Sequence, residues 1–533
     1  MDSAVLMVLA GCRSPLMGWH ISLIISLWKR SLLRQMLSDK LSMNSKNSLK
    51  KSPKVVIIGA GIAGVGAAGK LVKQRFTDVQ IIEASCQPGG RIRSSLFGKS
   101  VVDEGAQYIH GASMKNPIFQ LAKEHGLLEQ AHNKSGTEWA VFTNTHKQLD
   151  LDFTEQIRNL ATSILKRAHL LAQEKGYTQA KSIADIFLGE VKILLAQWRG
   201  DHVDQRRQKL GVLSMFMKWQ CVHLATNGLG EVSVHEYEEY KNIEGDDRNS
   251  QGLFPSLLQK LLDDIPRDKL LLEKPVKQIL WNGNFESENG SHYPVRVVCE
   301  DGEHILADHV IVTISLGCLK ANSQSLFWPR LPEQYLHAIQ NMGFGTMNKI
   351  YLEYEAPFWG ENVDIIGLVW EDESPLSGQK PNLVEWWRRV PAFYVFRPTE
   401  RYGHVLVATI SGKEAEFVES LSPEEVASDF TKLLRQFTGR PSLPMPKNVF
   451  VTKWFSDPYI RGSYSHISVN STGDMIDALV EPLPQTTEGT SSPKLQLLFA
   501  GEATHRSYHS TTHGALLSGW READRLIDHY STK

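Results

Sequence analysis

The residues best suited to chemistry begin at Lys54-Val-Val-Ile-Ile-Gly59-Ala-Gly61-Ile-Ala63-Gly64. They continue through Val79-Gln-Ile-Ile-Glu83 to Gly89-Gly90-Arg91. Gly59 and Gly61 allow a tight turn and a close approach of the backbone to a pyrophosphate, with Ala63 in the same cradle. Gly64 lets the following helix pack closely on the strand, so that the helix N-terminus faces the phosphates. Glu83 ends the next strand, at the spacing where an acid accepts hydrogen bonds from a ribose. Such a glycine turn can be ordinary structure. The strand before it, the helix after it and Glu83 together argue for a dinucleotide. NAD domains do not need a second Gly-Gly-Arg turn, whereas in FAD domains Gly90 and Arg91 approach the phosphate side. The expected cofactor is FAD. Near the C-terminus a second stretch runs from Leu495 into Gly501, Glu502 and Thr504, and Ser510-Thr511-Thr512-His513-Gly514-Ala515 opens a helix to Leu526. A helix N-terminus there can stabilise the electron-rich side of a reduced flavin.

These residues need a scaffold. Val55 to Ile58 is an apolar run suited to a strand buried on both faces. Val101 to Gly111 reads as a strand entering a glycine turn. Residues 150–225 carry helical spacing, as in Ile157, Leu160, Ile164 and Leu165. Leu270 to Leu272 and Val276 to Trp281 read as short strands. Val295 to Cys299 and His304 to Leu306 form a hairpin around Asp301-Gly302. Val310 to Ile314 is a further buried strand. Ile350 to Tyr354, Leu368 to Trp370 and Val405 to Ile410 suggest a second sheet, and Pro423 to Phe437 a helix. Thr486 to Pro493 is a polar loop. No internal repeat is apparent.

The chain of 533 residues can hold more than one domain and a large core. A formal net charge of −1 gives no global attraction to nucleic acid. The five cysteines are scattered and form no CxxC pair, which argues against a disulfide framework or a zinc site. Leu16 to Trp28 is mostly apolar, but His20 interrupts it and it is short for a membrane span, so no stable membrane insertion is expected. Residues 29–51 are basic and serine-rich. A disordered, dispensable extension over residues 1–53 is the expectation, with a presequence or interfacial anchor as the alternative.

The two ends resemble the flavin-containing amine oxidase family, and within it the acetylpolyamine oxidase and spermine oxidase group. The resemblance rests on Gly59 to Gly64, Glu83, Gly89-Gly90-Arg91, Tyr108-Ile-His110-Gly111 and Phe344-Gly-Thr-Met-Asn-Lys349. It extends to Pro357-Phe-Trp359, Arg461-Gly-Ser-Tyr464-Ser and Gly501 to Arg506 with Ser510 to Ala515. It covers the chain from about residue 54 to the end. It implies an α/β, two-domain fold: a discontinuous Rossmann-like FAD-binding domain and an α+β substrate domain. The expected FAD-binding parts are 54–125, 251–320 and 441–533. The substrate domain takes a mainly helical segment, 126–250, and the sheet and helices of 321–440.

The resemblance also implies roles. Lys349 would hold a water at the reaction centre. His110 would sit in the distal tunnel, or serve as a structural histidine holding a turn. Tyr464 would lie beside the flavin, Ser510 would touch substrate, and Thr511, Thr512, Glu502 and Val276 would contact the cofactor. Ser463 stands where some relatives carry a flavin-linking cysteine, so FAD is expected to be non-covalent. Gln220 occupies a position where the family usually presents a glutamate, Met347 one where acetylpolyamine oxidases usually present Asn, and about four residues are missing after Asp247. The expected activity is oxidation of N-acetylated spermine or spermidine with dioxygen, giving a shorter polyamine, an aldehyde and hydrogen peroxide. Spermine oxidase is the alternative, and a catalytically impaired FAD-binding homologue the reading from another class. A histone-lysine demethylase fits less well, because no long helical insertion is present. A monomer is expected, with cytosol first and peroxisome second, because the tail Ser531-Thr-Lys533 differs from Ser-Lys-Leu.

Overall fold

A five-stranded parallel sheet forms where three distant parts of the chain meet. Its strand order is Leu497–Phe499, His309–Val312, Val55–Ile58, Val79–Ile82 and Leu270–Leu271. Val55 to Ile58 are all buried, as a strand with neighbours on both edges and cover on both faces requires. The computed structural model describes residues 52–128, 137–174, 181–377, 380–485 and 494–531. Residues 1–51 of the N-terminal extension and the loop Thr486 to Pro493 lie outside the described residues.

Gly61 opens the helix Ile62–Lys73, which packs on the first strand. A Cβ on Gly64 would come within 2.0 Å of the Gly59 carbonyl oxygen. Only glycine permits that helix–strand approach. Glu83 follows directly on Val79–Ile82. The expected strand at Val310 to Ile314 stops at Val312, because the Thr313 hydroxyl donates to the Ile58 carbonyl at 2.8 Å as the chain turns away. The hairpin Val295–Cys299 with His304–Ala307 pairs antiparallel as expected. It joins Val276–Leu280 and Phe327–Trp328 in a four-stranded sheet.

The second layer is a six-stranded sheet of Asn448–Val451, Met347–Tyr354, His404–Ser411, Ala392–Val395, Val363–Val369 and Glu138–Thr143. Three long helices lie in the expected helical stretch: Leu151–Gln173, Ile183–Gln197 and Val203–His223. Two expected boundaries need correction. Phe327–Trp328 pairs with Val276–Leu280, and Tyr335 and Leu336 share a core with Val310 and Phe499, so the first layer continues past residue 320. Asn448–Val451 pairs with Met347–Tyr354, so the second layer continues past residue 440. Strand pairing, which is non-local, sets both crossovers. The last helix, Thr512–Ser531, runs past Leu526.

Candidate active site

A cavity of about 1380 Å³ connects the glycine turn to the face of the six-stranded sheet. It exceeds the ~300–1,000 Å³ usual for one drug-sized ligand. Its dinucleotide end is built from backbone. Gly61 pairs with Gly89 across an isolated parallel bridge, and the Gly89 N–H donates to the Ala60 carbonyl at 2.9 Å. A Cβ on Gly61 would meet only the Gly89 carbonyl oxygen, at 3.9 Å, and one on Gly90 only the Gly61 Cα, at 3.8 Å. A Cβ on Gly501 would meet nothing within 4 Å. All three glycines line the cavity. Side chains there would fill the space a cofactor backbone needs, so the cradle fits a dinucleotide. Ala63, Val276, Thr511 and Thr512 also line it.

Two acids organise this end. Glu83 accepts from the Ala60 N–H at 2.7 Å, the Ser85 N–H at 2.9 Å and the Ser85 hydroxyl at 2.8 Å. It thus ties the glycine turn to the loop after the second strand, with one of its roughly four lone-pair sites still available to a ribose. Glu502 binds the Arg91 guanidinium at 2.8 Å, the Ser465 hydroxyl at 2.6 Å and the Ser510 N–H at 2.8 Å. Burial would raise the Glu502 carboxyl; Arg91 and these hydrogen bonds outweigh it and hold it below the usual range. Arg91 also donates to the Ser463 carbonyl at 2.8 Å. The Ser463 hydroxyl accepts from the Met347 N–H and donates to the Met347 carbonyl, each at 2.8 Å.

Lys349 and Met347 lie on the cavity face of one strand. Lys349 Nζ donates to the carbonyls of Asp103 at 2.9 Å and Gly105 at 2.8 Å, and to Gln107 Oε1 at 2.7 Å. Burial lowers this amine to about 8, against the opposing pull of Asp103 and Glu104. All three ammonium donors are engaged with protein oxygens. A water would therefore have to replace one of them, and the Gln107 side chain is the only partner of the three that can swing away. Tyr464 lines the cavity with its hydroxyl donated to the Val222 carbonyl at 2.6 Å, and burial pushes its pKa up. Ser510 lines it in a left-handed conformation, φ 66°, with its hydroxyl donated to the Ser465 carbonyl. Thr511 caps the last helix by accepting the Gly514 N–H at 3.0 Å.

Gln220 lines the cavity from the Val203–His223 helix. The nearby acids Glu238 and Glu239 do not line it. Glu239 binds Arg506 through two contacts of 2.5 and 2.7 Å, and Glu238 pairs with His235 at 3.0 Å. His110 lines the outer part and pairs with Asp247 at 2.7 Å, while Asp247 also accepts the Gly111 N–H at 3.0 Å. His110 therefore lines the cavity and is tied through Asp247 to the Gly111 turn.

The structure adds residues that the sequence reading passed over: Gln107, Trp219, Glu236, Tyr394 and Thr409 line the same cavity, as does Asp247. Tyr394 had a usable signal, the aromatic and β-branched run Phe393-Tyr394-Val395-Phe396. Glu236 had none, because its partner His509, at 2.7 Å, lies 273 residues away.

The profile of the family described as flavin containing amine oxidoreductase matches residues 62–527. The chain belongs to this family. It is a flavin-dependent amine oxidoreductase, acting on a small-molecule amine. It is 40% identical over 502 residues to human (Homo sapiens) peroxisomal N(1)-acetyl-spermine/spermidine oxidase, covering 91% of this chain and 97% of that relative. It is 30% identical to lysine-specific histone demethylase 1 homolog 2 of rice (Oryza sativa subsp. japonica), but that match covers 89% of this chain and only 57% of the relative. A solved putrescine oxidase variant superposes with a TM-score of 0.61 at 19% identity, covering 89% of this chain and 99% of that one, which shows the shared fold.

Proposed function

We propose that this flavin amine oxidoreductase is an FAD-dependent polyamine oxidase that prefers N-acetylated spermine or spermidine. One observation supports the preference above all: away from the dinucleotide cradle, each cavity carboxylate among the described residues already has a partner. Glu104 binds Arg93 at 3.0 Å, Glu236 binds His509 at 2.7 Å, Asp247 binds His110 at 2.7 Å and Asp364 binds Arg397 at 2.7 Å. A terminal ammonium would lack the charge-assisted partner that compensates its desolvation. A neutral acetamide needs none. The full-length match to the human acetylpolyamine enzyme points the same way. The demethylase match leaves over two-fifths of that relative uncovered.

Bound FAD would supply a two-electron acceptor for the carbon beside the amine, reoxidised by dioxygen with release of hydrogen peroxide. Gly61, Gly90, Glu83 and Arg91 would hold it, with Ala63, Gly59, Gly64, Val276, Thr511 and Thr512 completing the cradle. With Ser463 hydrogen-bonded in both directions to Met347, no nucleophile is free there to form a covalent link. Oxidation requires an amine nitrogen with a free lone pair. Lys349, with a pKa of about 8, is suited to share a proton with that nitrogen. Trp219 and Tyr464 wall the chamber with apolar surface and exclude water. Met347, Gln220 and Ser510 would contact substrate.

The test is peroxide release, with anaerobic bleaching, across spermine, spermidine and their acetylated forms. Highest efficiency on an acetylated form supports the reading, and absence of bleaching with all four overturns it. Among the described residues no helix is long and apolar enough to cross a membrane. The compartment is read as cytosol or peroxisome, and imaging of an internally tagged protein assigns it by diffuse signal or puncta. A monomer is the proposed state, checked by light scattering.

A further inference from the structure

Three acceptors hold the Lys349 amine, and only one of them is a side chain. The carbonyls of Asp103 and Gly105, at 2.9 and 2.8 Å, belong to the backbone. The third acceptor is Gln107 Oε1 at 2.7 Å. An ammonium only donates, so the amide must turn its oxygen toward it. The amide nitrogen then faces away and donates to Asn249 Oδ1 at 3.1 Å. The hydrogen bonds thus run in one direction, from Lys349 through Gln107 to Asn249, and all three residues line the cavity. The backbone beneath them is tied down. The Gln107 carbonyl accepts the Ser250 N–H at 2.8 Å, and Tyr108 pairs with Asn249 across two short strands.

The charges that act on the amine are those of Asp103 and Glu104. Both carboxylates have partners of their own. Asp103 accepts from the Ser94 hydroxyl at 2.6 Å and the Gly252 N–H at 2.7 Å, and Glu104 binds Arg93 at 3.0 Å and the Ser95 hydroxyl at 2.5 Å. Along the Lys349 strand, Tyr351 donates its hydroxyl to the Asp103 carbonyl at 2.8 Å. The strands on either side bring Thr409, which pairs directly with Lys349, and Thr452, which accepts the Lys349 N–H at 2.9 Å. Both are uncharged, as is Gln107. A carboxylate at the Gln107 position would hold the proton on the amine, and an apolar side chain would leave one ammonium donor without its acceptor. Burial already brings this amine to about 8, so its third acceptor decides how readily it gives up a proton near neutral pH.

We propose that Gln107 is a positioning residue for Lys349: its amide oxygen, oriented by Asn249, holds the third donor of the amine, and its lack of charge leaves the amine free to release a proton. This rests on the reading of Lys349 as the proton-sharing group of the amine oxidation. The experiment uses holoenzyme carrying Gln107→Glu or Gln107→Leu. It reads the Lys349 titration directly, as the [ε-13C]lysine resonance that Lys349→Met removes, and beside it the pH profile of anaerobic flavin reduction. Gln107→Glu moves the lysine midpoint up by about one pH unit or more, as an adjacent opposite charge does. Gln107→Leu moves it down by roughly half a unit or more, the effect of losing one acceptor from the charged form. Asn249→Leu moves it down by less. Midpoints that stay in place, or that move the same way in the Glu and Leu variants, overturn the proposal, since a packing defect carries no sign. If Gln107→Leu loses its flavin, the nearly isosteric Gln107→Glu decides alone. Midpoints that shift as stated while the bend in the rate profile stays put overturn the proton-sharing reading of Lys349 instead, and leave the placement of its amine by Gln107 standing.

Discussion

At the scale of single residues, the proposed chemistry is tested most directly at Lys349. Its three hydrogen bonds fix the amine, and burial brings its pKa to about 8. Lys349→Met is expected to slow anaerobic flavin reduction by ~100- to 10,000-fold, the usual worth of a positioned proton-transfer group. Flavin content is expected to hold, because Lys349 touches none of the cradle glycines. The wild-type rate should bend near the lysine's pKa of about 8, and the bend should be absent in the variant. A variant rate within about threefold of wild type excludes a role of that size. Gln220 tests selectivity at the same scale. Gln220→Glu places an unpaired carboxylate on the cavity wall and is expected to shift efficiency about tenfold toward spermine over acetylspermine, or about 1.4 kcal/mol. An unchanged ratio removes Gln220 from substrate choice. Glu238 and Glu239 do not confuse the result, since both are paired elsewhere.

At the scale of elements, one helical turn, Glu236–Glu239, clamps the loop that carries Ser510 and Thr511. Glu236 binds His509 with both side chains almost wholly buried, and Glu239 binds Arg506. Burial opposes the charge on His509, but Glu236 outweighs it and raises the imidazole from its ordinary 6.5 to about 9. Burial likewise opposes the Glu236 carboxylate, and His509 holds it below its ordinary 4.5. The raised histidine contributes stability that is complete below 6.5 and lost as pH rises through about 9. The depressed carboxylate contributes stability that is complete above 4.5 and lost as pH falls through its native value. Glu236→Gln is therefore expected to cost about 3 kcal/mol near pH ~6 by denaturant unfolding, with the deficit shrinking toward pH ~9. A deficit independent of pH would mean that packing, not charge, is what the substitution removes. This clamp was not legible in the sequence, whereas the glycine turn and the Val295–Cys299 hairpin were. Those are local: an apolar run, a glycine, a turn residue and a periodicity lie within a few residues of one another. His110 with Asp247 and His509 with Glu236 are long-range pairs, separated by 137 and 273 residues. The layer crossovers near residues 320 and 440 were misplaced for the same reason. Phe327–Trp328 and Asn448–Val451 are short strands, and only distant partners decide which sheet takes them.

At the scale of the whole molecule, the described residues between 53 and 527 belong to one unit, and both sheets line its cavity of about 1380 Å³. The parallel sheet supplies one end of it and the six-stranded sheet the other. The chain returns to the first sheet at Leu497–Phe499, which brings Glu502 onto Arg91 across 411 residues. That closure makes cofactor retention a test of the entire arrangement. The purified protein is expected to be yellow and to release intact FAD on denaturation. The cradle argues for FAD, because Gly61, Gly90 and Gly501 leave open space where its backbone would run. The expectation of release rests on Ser463, whose hydroxyl both accepts from and donates to the Met347 backbone. Gly64→Ala is expected to abolish flavin content, since its Cβ would lie 2.0 Å from the Gly59 oxygen and force the helix off the strand. Absorbance of the filtrate after acid or guanidinium treatment reads the outcome. Flavin that stays with the precipitated chain would contradict the reading of Ser463. Full flavin content in Gly64→Ala would mean that the glycine turn does not hold the cofactor, and the cradle would have to be sought elsewhere along the cavity.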